Sequence, residues 1–445
     1  MHQSLIPQPP VNLRLSHFPE ESISLTTQTR PIPRDEGLRA WQHCVLFLAA
    51  ALILISRRPD GMLHAQFYAE DGSVWFADAY NYGWWPALFR TWAGYYQTLP
   101  RLVASLGLPV SFQFAPLLLN LIDFAIEALP VTLLLSNRSR VWGSLRFRTC
   151  MAGVYLALPG CAGVRSGVTE SQWQMALCAF LILVATTPKN VAARAASISI
   201  LLLCGLSGPF CIFLLPMALY LAWKYSDRWR WITSGVLALL CVAQAWAMFV
   251  VSPSNRPQLF LGANAGSFAK LLASQIYLGV LLGPNGLGFQ PGPKISAALF
   301  ITALGGTALV AICFFKSTLE MRLLLLYSFL IFGASIVSPA IHVQPGIPTW
   351  QLLAGAGGIH YWFFPTLAFA WTLLWCLHCK SQLLKVISGY LLFFLCIASI
   401  RDWKDSTFKD LHFSDYANQM QTAPKGAVVT IPENPEGWEI RLVKH

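Results

Sequence analysis

The sequence predicts an all-α integral membrane protein, a polytopic bundle of about eleven spans with a long first outer loop and a small outer C-terminal appendage. Three features point there. Of 445 residues, 55% are hydrophobic and only 11% are charged, whereas a soluble domain carries about 25% charged residues. Apolar runs recur from residue 41 to residue 400. The excess of Lys and Arg, a net charge of +11, falls in short clusters between those runs, which is how membrane orientation is written. The composition excludes an ordinary cytosolic enzyme, a coiled coil, a disordered chain and a small disulfide scaffold. No basic stripe of the kind that tracks a nucleic acid is present, so nucleic acid is not an expected partner.

Residues 1–40 are polar and proline-rich and read as a disordered cytoplasmic tail. The first apolar run starts too late for a cleavable signal peptide. The transmembrane domain is 41–400, with apolar runs at about 41–56, 113–135, 149–164, 172–187, 197–207, 209–222, 231–251, 295–315, 322–338, 361–378 and 384–400. Several are shorter than the ~20 residues that span a hydrocarbon core. Basic clusters lie at Arg138 to Arg148, Lys189 and Arg194, Lys224 to Arg230, Lys316 and Arg322, and Lys380 and Lys385. If all face the cytoplasm, each adjacent pair is separated by an even number of crossings. Residues 197–222 then form a hairpin broken at Gly205-Leu-Ser-Gly-Pro209, and 271–283 is an interfacial segment that does not cross. The N-terminus is inside and the C-terminus outside. Outside lie 57–112, 252–294, 339–360 and the segment 401–445, whose run Ala427-Val-Val-Thr-Ile431 is strand-like.

The eleven cysteines sit almost entirely in apolar runs and read as small buried side chains, not a disulfide framework. Cys376-Leu-His-Cys379 has zinc-like spacing but no second pair.

The chemistry concentrates in the first loop, Phe67-Tyr-Ala-Glu-Asp-Gly-Ser-Val-Trp-Phe-Ala-Asp78. Glu70 and Asp71 are adjacent acids just past the first span. On a helix Asp78, seven residues on, shares a face with Asp71. Carboxylates in an aromatic setting at a membrane edge are costly and suit a general base with a raised pKa, or a divalent cation site. The competing reading is turn and helix-cap chemistry at Glu70-Asp71-Gly72, with the loop's Trp and Tyr as an interfacial belt.

An acidic pair in this place resembles the polytopic GT-C glycosyltransferases, which use a polyprenyl-phosphate sugar as donor. The longer pattern Ala69-Glu-Asp-Gly72, Gly94-Tyr-Tyr-Gln97, Leu99-Pro-Arg101, Gly358-Ile-His-Tyr361 and Ile431-Pro to Gly437-Trp438 is similar to an uncharacterised bacterial branch of that group. His360-Tyr361 stands where that branch often carries Arg-Tyr. The resemblance implies sugar transfer on the outer face of a bacterial inner membrane, from a polyprenyl-phosphate carrier to an envelope glycan or lipid acceptor, with inversion. It implies Asp71 as base, with Glu70 orienting it or sharing a divalent metal. Substrate-binding candidates are Arg101, Asp78, Tyr95, Arg165, His360 and Tyr361. Arg101 is the first candidate for the phosphate, against an arginine snorkelling to the interface. Arg165 and Glu170 pair with each other in the plainer reading. His342 and His360 flank the third outer loop, and Gly283-Pro-Asn-Gly-Leu-Gly288 reads as a turn.

Two alternatives stand beside the transferase. Asp123 and Glu127, one turn apart in the second span, suit a transporter or flippase of lipid-linked sugars. A non-catalytic subunit of an envelope-polysaccharide system would need none of these acids.

Overall fold

The computed structural model describes residues 38–165, 167–252, 260–287, 297–341, 346–355 and 358–445. His342 and nearly all of the N-terminal tail fall outside them. The chain is all-α apart from two small two-stranded sheets.

Each predicted apolar run forms a helix: Ala40–Arg57, Ala115–Leu135, Leu145–Ala157, Ser171–Val184, Val191–Gly205, Phe210–Tyr225, Arg228–Trp246, Ala297–Lys316, Leu319–Val337, Phe363–Leu377 and Gln382–Arg401. These helices run between two faces of the bundle. One face gathers the basic clusters. There Arg138 donates to the Thr186 carbonyl, Arg230 to those of Leu183 and Ala185, and Phe147 meets His378 edge-on. The opposite face, called the site face below, carries the first loop and the C-terminal segment. There Arg57 donates to the Asp402 carbonyl, Gln244 to that of Gly205, and Trp350 to that of Ile336. The start of the first span thus lies on the basic face and the end of the last span on the site face.

Among the described residues seven helices are long and apolar enough to cross a membrane, by length and composition. One of them is Ala265–Gly286, which covers the stretch 271–283. Both its ends are tied to the site face. The Phe260 carbonyl before it accepts from Thr349, and Asn285 at its end donates to Asp402 beyond the last span. A π-helical stretch, Leu272–Tyr277, widens its middle, and Gly283 breaks its end with φ +60.

Several helices are shorter than ~20 residues because protein, not lipid, surrounds them. All of Ser171–Val184 except Gln172 is buried, as is all of Phe363–Leu377 except Trp375 and Leu377. The two form the centre of the bundle. Outer helices keep apolar faces outward: Leu48, Leu52, Leu239, Phe393 and Ile400 are all exposed. That is the pattern of a lipid-facing surface.

The first loop is not an open aromatic belt. It folds as a short helix Asp60–Leu63, a π-helix Asp71–Phe76 running into Ala77–Tyr82, a helix Trp84–Leu88, a two-residue ribbon Thr91–Trp92 with Tyr95–Tyr96, and a helix Thr98–Gly107. Trp75 is fully buried, while Trp84 and Trp85 remain exposed. The C-terminal segment adds a helix Phe413–Thr422 and a hairpin of Val428–Glu433 with Trp438–Val443. This hairpin docks on the first loop. Ala69 donates its N–H to the Asn434 carbonyl, Asn81 donates to the Arg441 carbonyl, and Val443 donates to Asn81.

Candidate active site

The acidic motif begins with a strained residue. Ala69 has φ +49, the left-handed region that costs a residue with a Cβ free energy. Its N–H is held by Asn434, and its carbonyl accepts the Ser73 hydroxyl. The strained turn sends the next two side chains to different places.

Asp71 points into the protein. It is 2% exposed, and both of its oxygens are engaged. Oδ2 accepts from the Val168 N–H at 2.9 Å. Oδ1 accepts from the Thr169 N–H at 2.9 Å and the Thr169 hydroxyl at 2.7 Å. That hydroxyl in turn accepts from the Trp75 indole at 2.7 Å. Gly167, with φ +156, lets its backbone lie against the carboxylate, where a Cβ would collide with Oδ2. Burial raises the Asp71 pKa to about 6, against the three hydrogen bonds that favour its charged form.

Glu70 is partly exposed and lines a cavity of about 400 Å³. Its carboxylate is hydrogen-bonded by Trp92, and burial holds its pKa above the usual glutamate value. The cavity wall is mixed: Gln97, Glu170, Gln172 and His360 are polar, and Phe210, Phe213, Met248 and Ile331, from three spans, are apolar. Among the described lining residues none carries a permanent positive charge.

Glu170 accepts from the Trp173 indole at 2.9 Å and lies 3.5 Å from His360 Nδ1. Burial, reinforced by Glu70, pushes Glu170 up to about 8, and burial pushes His360 down to about 4. At neutral pH both are therefore uncharged, and their contact is polar but not an ion pair. A further acid comes from the C-terminal hairpin. Glu433 is 2% exposed, and its Oε1 accepts from the Ser73 N–H at 3.0 Å. Its Oε2 has no partner, and a Cβ on Gly72 would collide with it. Burial raises Glu433 to about 8.

The structure separates residues that the sequence grouped. Asp71 and Asp78 do not converge, because the wider turns of the π-helix break the seven-residue spacing. Asp78 instead accepts from Arg101 at 2.8 Å and meets Arg90 at 3.3 Å. Arg101 is 1% exposed and lies over the Trp75 ring, so it neither snorkels nor faces the cavity. Arg165 pairs with Asp405, not Glu170, through two hydrogen bonds of 2.8 Å, and both partners are buried. Tyr95, His360 and Tyr361 do line the cavity, and the Tyr361 hydroxyl accepts from the Ala340 N–H.

A divalent cation shared by Glu70 and Asp71 does not fit this donor set, since the Asp71 oxygens are taken by the 168–169 turn. Among the described residues no three His, Cys, Asp or Glu side chains converge as a metal site. In the second span, Asp123 Oδ1 and both Glu127 oxygens are buried without hydrogen-bond partners among the described residues.

The sequence reading missed Thr169, Trp92, Gln172 and Glu433 and gave Glu170 only a structural partner. Gly72 and Gly167 were the available signals, two glycines whose missing Cβ atoms make room for carboxylates.

These features define a helical membrane protein with a mixed polar and apolar cavity under an acid-rich loop. No family model matches the chain, and no curated protein matches it. Among solved structures it is similar to the archaeal oligosaccharyltransferase AglB from Archaeoglobus fulgidus, determined with an inhibitory peptide and a dolichol-phosphate. Identity is 13%, the TM-score is 0.41, and the match covers 86% of this chain. The chain spans 58% of the archaeal protein's length. A likeness this loose carries no weight for the site.

Proposed function

We propose that this protein is a membrane glycosyltransferase of the GT-C type, moving a sugar from a polyprenyl-phosphate donor to an envelope acceptor with inversion. The observation that carries the reading is the position of Glu70, a carboxylate with a raised pKa in the wall of a cavity that also presents apolar side chains from three spans. Such a cavity suits a ligand with a greasy chain and a polar head. In this reading the positive-inside pattern supports a site face turned outward, and the membrane is a bacterial inner membrane.

Glu70 is the base in this reading. It takes the proton from the acceptor hydroxyl as the oxygen bonds to the sugar's anomeric carbon. The bond from that carbon to the phosphate oxygen breaks, and its electron pair leaves with the lipid phosphate. Phosphate needs no proton donor to depart, so one carboxylate is enough. Asp71 is a positioning residue that ties the motif to the 168–169 turn. Gln97, Gln172 and Tyr95 supply neutral hydrogen-bond donors for sugar and phosphate. Arg101 and Arg165 hold Asp78 and Asp405 instead.

The test is transfer by the purified protein in liposomes holding polyprenyl-phosphate hexoses. Wild type should consume a donor, and Glu70→Gln should abolish consumption at equal folded protein. Full turnover by Glu70→Gln would overturn the assignment.

The unpartnered acids of the second span favour a second reading, transport of a lipid-linked sugar. It predicts that Glu127→Gln abolishes flipping in liposomes while Glu70→Gln does not.

A further inference from the structure

A second pocket of about 580 Å³ opens beside the first, between the first loop and the C-terminal hairpin. Trp92 lines both. Trp92 also lies beside the Glu70 carboxylate, so one indole borders both that carboxylate and the second pocket. The walls of this pocket come from chain segments more than 340 residues apart: Arg90 and Trp92 on one side, Trp438 and Glu439 on the other. Trp92 is 40% exposed and Trp438 36%. Both indoles line the pocket and are partly exposed, and Trp92 also meets the buried Trp75 edge-on. The Arg90 guanidinium lies over the Tyr82 ring and against Asp78, which fixes its orientation and leaves donors free for a ligand.

Partly exposed indoles with polar side chains beside them suit a pyranose. Such a ring has apolar C–H faces and a rim of hydroxyls that both donate and accept. The wall charges are already paired, Asp78 with Arg90 and Arg101 and Glu439 with Arg441, so no bare cation stands there to select an anion. A volume of about 580 Å³ lies within the range of ~300–1,000 Å³ usual for small-molecule sites.

We propose that this pocket binds the acceptor as a neutral saccharide, with Trp438 as a stacking platform and Trp92 as the partition between acceptor and donor. This rests on the transferase reading above. It deepens that reading by giving the acceptor a chemical class and a place, on the water-exposed side of Glu70 and away from the apolar cavity. It also gives the C-terminal hairpin a role, since Trp438 and Glu439 are its contribution to the site.

The experiment is saturation-transfer NMR on the purified full chain in nanodiscs, with maltose, cellobiose and lactose as probes and glucuronic acid as the anionic control. Release of free sugar from polyprenyl-phosphate hexose is measured on the same samples. Wild type should give transfer to at least one neutral disaccharide. Trp438→Ala should weaken it about tenfold, roughly one aromatic platform. Arg90→Gln, on the other wall, should weaken saccharide binding as well, and it serves alone if Trp438→Ala does not fold. The proposal is overturned if no neutral saccharide binds wild type, if glucuronic acid binds best, or if both variants keep full affinity. Saccharide binding that follows these variants, in a protein that never consumes a donor, would sink the transferase reading and leave the saccharide pocket standing.

Discussion

Exchanging the two acids of the motif one at a time should give opposite failures. In Asp71→Asn, one oxygen can still accept from Thr169, but an NH2 group now faces the Val168 N–H that Oδ2 accepted at 2.9 Å. One charge-assisted hydrogen bond is lost and a buried donor is left unmet, a cost of about 1–3 kcal/mol. Asp71→Ala orphans the Val168 and Thr169 N–H groups together and costs about 3–5 kcal/mol. The relief of no longer burying a carboxylate offsets part of either loss. Glu70→Gln keeps the shape, faces a cavity and should change stability by about 0.5 kcal/mol or less. It removes the base, which contributes a factor of about 100 to 10,000. Melting in detergent and donor turnover, measured on the same three variants, separate the roles. The expected pattern is lowered melting for both Asp71 variants, and unchanged melting with lost turnover for Glu70→Gln. If Asp71→Asn melts like wild type without turning over, while Glu70→Gln stays active, Asp71 is the base and the placement of Glu70 is misread.

The pH dependence follows from burial. Glu70 must be ionised to act, so turnover should fall with acid through a midpoint above the ordinary glutamate value. Glu433 runs the other way for stability. Its folded pKa is raised from 4.5 to about 8, so the fold holds the proton more tightly than the unfolded chain. Its contribution is complete below about 4.5 and is lost as pH rises to about 8. Melting should decline over that window, and Glu433→Gln should flatten the slope; an unchanged slope would count against it. Asp405→Ala strips a buried guanidinium of its bidentate partner and should destabilise by about 3–5 kcal/mol, read by melting, whereas Arg165 replaced together with Asp405 should recover part of the loss. Gly72→Ala sets a methyl against Glu433 and Ile440 and should loosen the hairpin, seen as faster proteolysis of residues beyond 401 in the intact protein. Equal cleavage rates would refute that docking.

The sequence by itself determined the architecture. A helix crossing a membrane meets a solvent that tolerates few charges, so each crossing is written locally as an apolar run, and the clusters between runs record which face each end occupies. That logic also read 271–283 as not crossing, although its length and composition alone would allow it, and both its ends lie on the site face. The site was legible only as a place. Glu70 and Asp71 stood out, but neighbours in a chain can face opposite ways, and the Ala69 turn makes them do so. Which acid reaches the cavity depended on Val168 and Thr169, nearly a hundred residues on. Arg101 and Arg165 looked free for phosphate because Asp78 is hidden by a π-helical turn and Asp405 lies far along the chain. Glu433 carried no local signal, since a lone acid between two prolines in a hairpin means nothing until the hairpin docks. Local hydropathy fixes where helices go because lipid acts on each segment separately. The environment of a carboxylate comes from contacts between distant segments, and only the folded chain decides those.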